Sequence, residues 1–166
     1  MFKRLLASIG ILASASATAY NYQDEKLAFE LPGRWFAEQE PSAWVALRNE
    51  KKDAQFIVGV VQVKEPMPSS EAKLRNIEKL ASLRREQILK LSSGDAQIGE
   101  PSHVVVGDQI FYDFVAKSFA PSVRIYVRLV QRNDIIATFS LYEFGNLTDE
   151  QYLQLVRSAF SATRVK

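Results

Sequence analysis

The chain has 166 residues, of which 47% are hydrophobic and 24% are charged, with 21 Lys and Arg against 19 Asp and Glu. It is long and apolar enough to bury a substantial core, which excludes a disordered or collagen-like chain. The sequence contains no cysteine, which excludes a disulfide scaffold, a zinc–thiolate site, an iron–sulfur cluster and a thiol nucleophile.

The N-terminal segment has the layout of a secretory signal peptide. Residues 1–4 are a short basic start, residues 5–15 are apolar, and Ala17 and Ala19 fill both small positions of an A-x-A cleavage site. The apolar stretch is too short to span a bilayer. We therefore expect cleavage between Ala19 and Tyr20, and the alternative is an N-terminal helix folded into the domain.

Cleavage would change the charge of the chain. Removing residues 1–19 takes away Lys3 and Arg4 and leaves 19 basic against 19 acidic residues. A neutral domain has no electrostatic surface for nucleic acid or for an anionic membrane. Without cysteine it cannot carry a lipoprotein anchor. We expect one domain over residues 20–166, periplasmic or secreted, that neither binds nucleic acid nor inserts stably into a membrane.

The first half of this domain predicts short strands followed by a helix. Strands are expected over residues 26–31, 35–36, 43–47 and 55–63, where apolar and β-branched residues alternate or cluster. Ser70 is the predicted N-cap of the helix, and Gly94 is its predicted stop. Five apolar residues recur at helical spacing: Leu74, Ile77, Ala81, Ile88 and Leu91.

The second half predicts an antiparallel meander and a last helix. Gly107 and Asp108 form a two-residue hairpin turn between strands over residues 104–106 and 110–116. Further strands are expected over residues 123–129 and 135–142. Thr148 and Gln151 form a capping box at the start of the last helix. The sum is an α+β fold, in which an antiparallel sheet has a helix on each face or both on one.

Two motifs and this order of elements resemble the Mog/PsbP-like superfamily, which includes PsbP, Mog and exported bacterial proteins of the DcrB type. Residues 27–35 read Leu-x-Phe-x-Leu-Pro-Gly-x-Trp, and residues 155–160 resemble the end of the family's C-terminal helix. The resemblance implies an α/β/α sandwich around a twisted antiparallel sheet. It also implies a protein that binds another protein and has no catalytic, cofactor or metal-binding residues to transfer.

The residues offer little for catalysis or metal binding. His103 is the only histidine, and the adjacent Ser102 would point to the opposite face of a strand. The acidic pairs at residues 24–25 and 149–150 do not have the spacing of a transition-metal site, and a weak Ca²⁺ site stays open. We expect a non-enzymatic protein without a cofactor. A hydrolase that uses His103 is the least favoured hypothesis.

One strand carries a candidate interaction face. Arg124, Tyr126 and Arg128 share a side of their strand, and Arg and Tyr are residue types that anchor protein interfaces. The alternative is a solvated face with cross-strand charge pairs. We expect an envelope protein as the partner. A second hypothesis is a carrier whose sheet and helix enclose an apolar ligand, lined by Phe111, Phe114, Phe119, Phe139 and Phe144.

Overall fold

The computed structural model describes residues 19–64, 67, 69–119 and 121–166. The predicted signal peptide therefore lies outside the described residues, apart from Ala19. No helix in the described part of the chain is long and apolar enough to cross a bilayer.

The described residues form strands and helices in the following chain order: β1 (Tyr20–Gln23), β2 (Leu27–Leu31), β3 (Trp35–Ala37), β4 (Val45–Asn49), β5 (Ala54–Gln62), α1 (Ser70–Leu91), β6 (Gln97–Ile98), β7 (Ser102–Val106), β8 (Gln109–Phe119), β9 (Ser122–Arg132), β10 (Ile135–Glu143), α2 (Asp149–Ser161) and β11 (Arg164–Val165).

These strands form two antiparallel sheets. The large sheet has the order β3-β4-β5-β10-β9-β8-β6, and β7 pairs with β8 as a hairpin partner. The small sheet has the order β1-β2-β11, so both ends of the described chain pair with β2. The backbone N–H of Lys166 donates to the carbonyl oxygen of Lys26 and extends this pairing to the last residue. The antiparallel meander predicted from the short turns is confirmed.

Helix α1 packs on one face of the large sheet. Alternate residues of β8 and β9 point toward it, because side chains on a strand have a period of two. Ile77, Ala81 and Ile88 of α1 are buried against this face. The sheet residues that are buried against α1 are Ile110, Tyr112, Phe114, Ile125, Val127, Leu129 and Ile136.

Helix α2 and the small sheet cover the opposite face. Phe29 of β2, Phe56 of β5, Phe139 of β10 and Phe160 of α2 meet in one aromatic cluster, with ring centroids 5.1 to 6.2 Å apart. The helices thus lie on opposite faces, and the predicted α/β/α sandwich is confirmed, with a small sheet beside α2.

The helix caps explain where α1 and α2 begin. Ser69, rather than the predicted Ser70, is the N-cap of α1: its hydroxyl accepts from the N–H of Ala72 at 3.1 Å, and its backbone is extended. Two adjacent serines are equivalent in sequence, and the backbone conformation decides between them. The capping box of α2 is confirmed, since Thr148 and Gln151 each accept from the backbone N–H of the other.

Candidate functional site

An open groove lies where the end of α1 meets the large sheet, and we call it the α1 groove. It has a volume of about 630 Å³. Apolar side chains from α1, β9, β10 and the connecting segments line it, together with polar and acidic side chains. The lining residues are Gln55, Ile88, Leu91, Ser92, Ser93, Asp95, Ser118, Pro121, Val123, Ile125, Tyr142 and Phe144.

The C-terminal turn of α1 forms one wall of the groove. The N–H of Ser92 donates to the carbonyl oxygen of Ile88 at 3.0 Å and caps the helix. Gly94 then adopts a φ of +84°, a conformation that favours glycine, so the chain leaves the helix as predicted. Leu91 is left at the rim with 82% of its surface exposed.

The end of the β8–β9 hairpin forms the facing wall. Asp95 holds it in place, because its Oδ2 accepts from the N–H of Phe119 at 2.8 Å and from the Ser118 hydroxyl at 3.3 Å. One carboxylate therefore connects the segment after α1 to the hairpin. Leu91 and Val123 line the groove from the two walls that this contact joins.

A row of side chains crosses the sheet on the α1 side, and three of them, Gln55, Tyr142 and Ile125, form the floor of the groove. Cross-strand pairing places the row's members on the α1 side of five neighbouring strands: Phe36, Arg48, Gln55, Tyr142 and Ile125. Arg84 of α1 donates from Nη2 to the hydroxyl of Tyr142. Burial raises the pKa of Tyr142 above its ordinary value, although Arg84 opposes this shift.

Away from α1, the same face of the sheet extends over β3 and β5, which the helix does not contact closely. Phe36 on β3 and Val61 on β5 are 55% and 47% exposed on this face. Glu38 links β4 to β5, because its carboxylate accepts hydrogen bonds from Arg48 Nε at 3.0 Å and from Gln55 Nε2 at 2.8 Å. The bond from Arg48 is the main cause that holds the pKa of Glu38 below its ordinary value. The groove therefore opens onto a broader, mixed polar and apolar surface.

The predicted interaction face lies on the other side of the sheet, under α2. Arg128 makes a two-pronged ion pair with Asp113, with distances of 2.8 Å from Nε to Oδ1 and 2.7 Å from Nη2 to Oδ2. Its Nη1 donates to the carbonyl oxygen of Phe160 at 2.7 Å, in the last turn of α2. The Tyr126 hydroxyl also donates to Asp113, and burial raises the pKa of Tyr126 to about 12.

Arg124 makes the corresponding contacts at the start of α2. Its Nε donates to Glu143 Oε2 at 2.7 Å, its Nη1 to Asp149 Oδ1 at 2.8 Å and its Nη2 to the carbonyl oxygen of Leu147 at 2.6 Å. The guanidinium lies over the ring of Tyr152, 4.4 Å from its centroid. Arg124 thus connects β9 to the first turn of α2.

Arg132 belongs to the same series as Arg124 and Arg128, although it was not among the predicted residues. It donates from Nε to Asp108 at 2.7 Å and from Nη1 to the carbonyl oxygen of Val165 in β11 at 3.4 Å. Arg124, Arg128 and Arg132 recur at every fourth residue and so share a face, which was the available signal. We call them the arginine ladder. Their role in binding a partner stays a prediction, and the contacts that the structure shows are with α2, β11 and neighbouring strands.

The phenylalanines expected to line a carrier pocket do not line one pocket. Phe114 lies on the α1 face of the sheet, whereas Phe111 and Phe139 lie on the α2 face. Phe119 is 50% exposed, and only Phe144 of the five lines the α1 groove. The prediction of their convergence is wrong because it took no account of the alternation of faces along β8.

The remaining candidate residues are spread over the molecule. His103 is exposed on β7 and its ring stacks on Tyr112, with centroids 6.5 Å apart. Asp24 accepts hydrogen bonds from Tyr22, Trp44 and two backbone N–H groups, which outweigh burial and lower its pKa to about 2. Among the described residues, no group of three or more His, Cys, Asp or Glu could hold a metal ion.

Comparison with known proteins shows a likeness in fold. No model of a known protein family and no curated protein matches the chain. The solution structure of the cyanobacterial PsbP protein (CyanoP) of Synechocystis sp. PCC 6803 is similar with a TM-score of 0.67, at 15% sequence identity over 98% of each chain. The crystal structure of the Ran-binding protein Mog1p of Saccharomyces cerevisiae is similar with a TM-score of 0.52, at 15% identity over 89% of this chain and 96% of that one. The chain therefore has the Mog/PsbP-like fold that its motifs predicted.

Proposed function

We propose that this chain is an exported, non-enzymatic binding protein of the bacterial cell envelope, and that its α1 groove receives a segment of a partner protein. The groove carries the proposal, because apolar and polar side chains line it together and the apolar side chain of Leu91 is exposed at its rim. Protein interfaces likewise combine apolar anchors with surrounding polar groups. The resemblance to PsbP and to a Ran-binding protein supports a binding role, by analogy of fold.

An apolar small molecule is the second candidate occupant. The groove volume of about 630 Å³ falls within the range of ligand pockets. A pocket of that kind encloses most of its ligand, however, and Leu91 at the rim is 82% exposed. Because the α1 groove is open, it favours a protein segment over a small molecule as its occupant. Native mass spectrometry of protein purified from its own host distinguishes the two, since a carrier would retain a mass above that of the polypeptide.

The proposed export predicts the residue at which the mature protein begins. When the full chain is expressed in a bacterium, we expect the periplasmic form to begin at Tyr20, because Ala17 and Ala19 form the cleavage site. Intact mass and N-terminal sequencing of the fractionated protein measure this. Charging the apolar stretch by Ile9→Lys with Ile11→Lys should leave the chain uncleaved in the cytoplasm. Retention of residues 1–19 in a periplasmic form would contradict the prediction.

Binding in the groove makes a second prediction. Leu91→Asp should reduce capture of the partner from an envelope fraction by about tenfold, because it places a charge where an apolar anchor would sit. Leu91 is largely exposed, so the variant should fold normally. Quantitative mass spectrometry of proteins retained by the immobilised chain measures the change.

Leu153→Asp is the matched control for this experiment. Leu153 lies on α2 and is 50% exposed, so the same change is made away from the α1 groove. The control should retain the partner at the level of the unchanged chain. If Leu91→Asp and Leu153→Asp retain the same proteins in the same amounts, the groove is not the binding site.

A further inference from the structure

Strand β7 is an open edge of the large sheet. It pairs with β8 on one side, and no strand in the described part of the chain pairs with it on the other. All five residues of Ser102–Val106 are exposed, and Val104, Val105 and Val106 expose 54%, 52% and 59% of their surfaces. An exposed apolar edge is a template on which another strand can pair.

The devices that usually block such an edge are missing from β7. Proteins protect edges with charged residues, prolines, bulges or very short strands. Ser102–Val106 contains no Lys, Arg, Asp, Glu or Pro. Pro101 and a shift of register between β6 and β7 interrupt the edge only before β7 begins. The edge at the far side of the sheet, β3, is protected by its length of 3 residues.

The hairpin turn determines which backbone groups of β7 face outward. Val106 and Gln109 flank the two-residue turn and so form a hydrogen-bonded pair. Hydrogen-bonded and non-hydrogen-bonded pairs alternate along an antiparallel ladder. His103 and Val105 therefore direct their N–H and C=O groups away from β8. These four groups are what an added strand would bind.

Charges at the two ends of β7 decide between a second copy of this chain and another protein. Glu100 precedes the strand and Asp108 follows it, both exposed. Asp108 also pairs with Arg132 at 2.7 Å, which offsets part of its charge, so Glu100 is the stronger of the two acidic ends. Antiparallel pairing of two copies about Val104 would place Glu100 opposite Asp108 at both ends. Like charges directly opposite one another destabilise a pair of strands. The charges instead complement a segment with basic residues at its ends.

We propose that β7 binds an extended segment of another protein by strand addition, and that this segment has an apolar, β-branched centre and basic ends. The main-chain hydrogen bonds would supply affinity, and the flanking charges would supply selectivity. This site is separate from the α1 groove and does not depend on the function proposed for it.

A synthetic peptide tests the proposal on residues 20–166, which contain both sheets and both helices. The probe is Lys-Thr-Val-Thr-Val-Thr-Val-Thr-Lys with blocked termini, and the first control replaces both Lys by Glu. We expect the Lys peptide to bind about tenfold more tightly than the Glu peptide, measured by isothermal titration calorimetry at low salt. A second control methylates alternate backbone nitrogens of the Lys peptide and should not bind, because it lacks the donors of one edge.

Two variants locate the binding site. Val105→Pro removes an outward N–H but no bond to β8, and it should weaken binding of the Lys peptide by at least about tenfold. Glu100→Lys changes an exposed residue and should remove the preference between the two peptides, because one end of β7 is then basic and the other acidic. Leu91→Asp, in the α1 groove, should leave peptide binding unchanged.

Several results would overturn the proposal. It fails if the Lys peptide does not bind at concentrations up to about 1 mM, or if the methylated peptide binds equally well. It also fails if Val105→Pro, shown to be folded by circular dichroism, binds as before. A concentration-dependent dimer in sedimentation that Val105→Pro abolishes would show that a second copy occupies the edge.

Discussion

Replacing Arg124 by Met is expected to lower the free energy of unfolding by about 3–5 kcal/mol, because it leaves a buried carboxylate without its cation. The side chain of Glu143 is 0% exposed and that of Arg124 is 14% exposed. Glu143 also accepts from the N–H groups of Asn146 and Leu147 at 2.6 and 2.9 Å, so it holds the loop that leads into α2. Urea unfolding followed by circular dichroism measures the loss.

A double-mutant cycle with Glu143→Gln separates the ion pair from the packing of the two side chains. The double variant should lose less stability than the sum of the single losses, because removing both charges leaves neither one unpaired. Arg34→Met is the matched control, since Arg34 and Glu50 are 65% and 60% exposed at 3.5 Å. It should change stability by less than about 0.5 kcal/mol. A loss below about 1 kcal/mol for Arg124→Met would contradict the proposed anchoring of α2.

The same pair should make stability depend on pH. Burial acts to raise the pKa of Glu143, but Arg124 and two backbone N–H groups outweigh it, so the folded state has the lower pKa. A lowered pKa contributes stability that is present above the ordinary value of 4.5 and is lost as the pH falls below it. Glu143→Gln cannot titrate. Its unfolding free energy should therefore fall less steeply with acid than that of the unchanged chain.

Truncating Phe56 to Ala is expected to cost about 3–5 kcal/mol and to lower Tm by about 10 °C. Phe56 is 0% exposed, and its ring lies 5.1 Å from Phe29, 5.8 Å from Phe160 and 6.2 Å from Phe139. The cavity would therefore open where the large sheet, the small sheet and α2 all meet. Differential scanning calorimetry measures the shift.

Phe36→Ala is the control for this truncation. Phe36 is 55% exposed on β3, so its removal should change stability by less than about 0.5 kcal/mol. The same residue type is thus compared at a buried and at an exposed strand position. Equal losses for Phe36→Ala and Phe56→Ala would show that the aromatic cluster is not the centre of the core.

Local chemistry made much of the fold predictable. The turn at Gly107 and Asp108 and the capping box at Thr148 depend on residues within a few positions of one another, and the structure has both. The prediction that Arg124, Tyr126 and Arg128 share a face needed only the alternation along a strand. Such features are properties of short segments.

The candidate site was not predictable in the same way. The α1 groove brings together Gln55, Leu91, Val123 and Phe144, which are far apart in the sequence and come together only when the sheet has formed. The packing of α2 over the arginine ladder was not predicted, for a related reason: the pattern of residues in β9 does not indicate which helix packs on that face. Tertiary contacts, rather than local propensity, decide both features.

The pairing of β11 with β2 joins two segments that are far apart in the sequence. Arg164 and Val165 lie opposite Ala28 and Leu27. The small sheet is therefore complete only when β11 has paired with β2. Under the export proposed above, residues 164 and 165 would leave a translocation channel after β1 and β2, so the small sheet would be completed only at the end of transit.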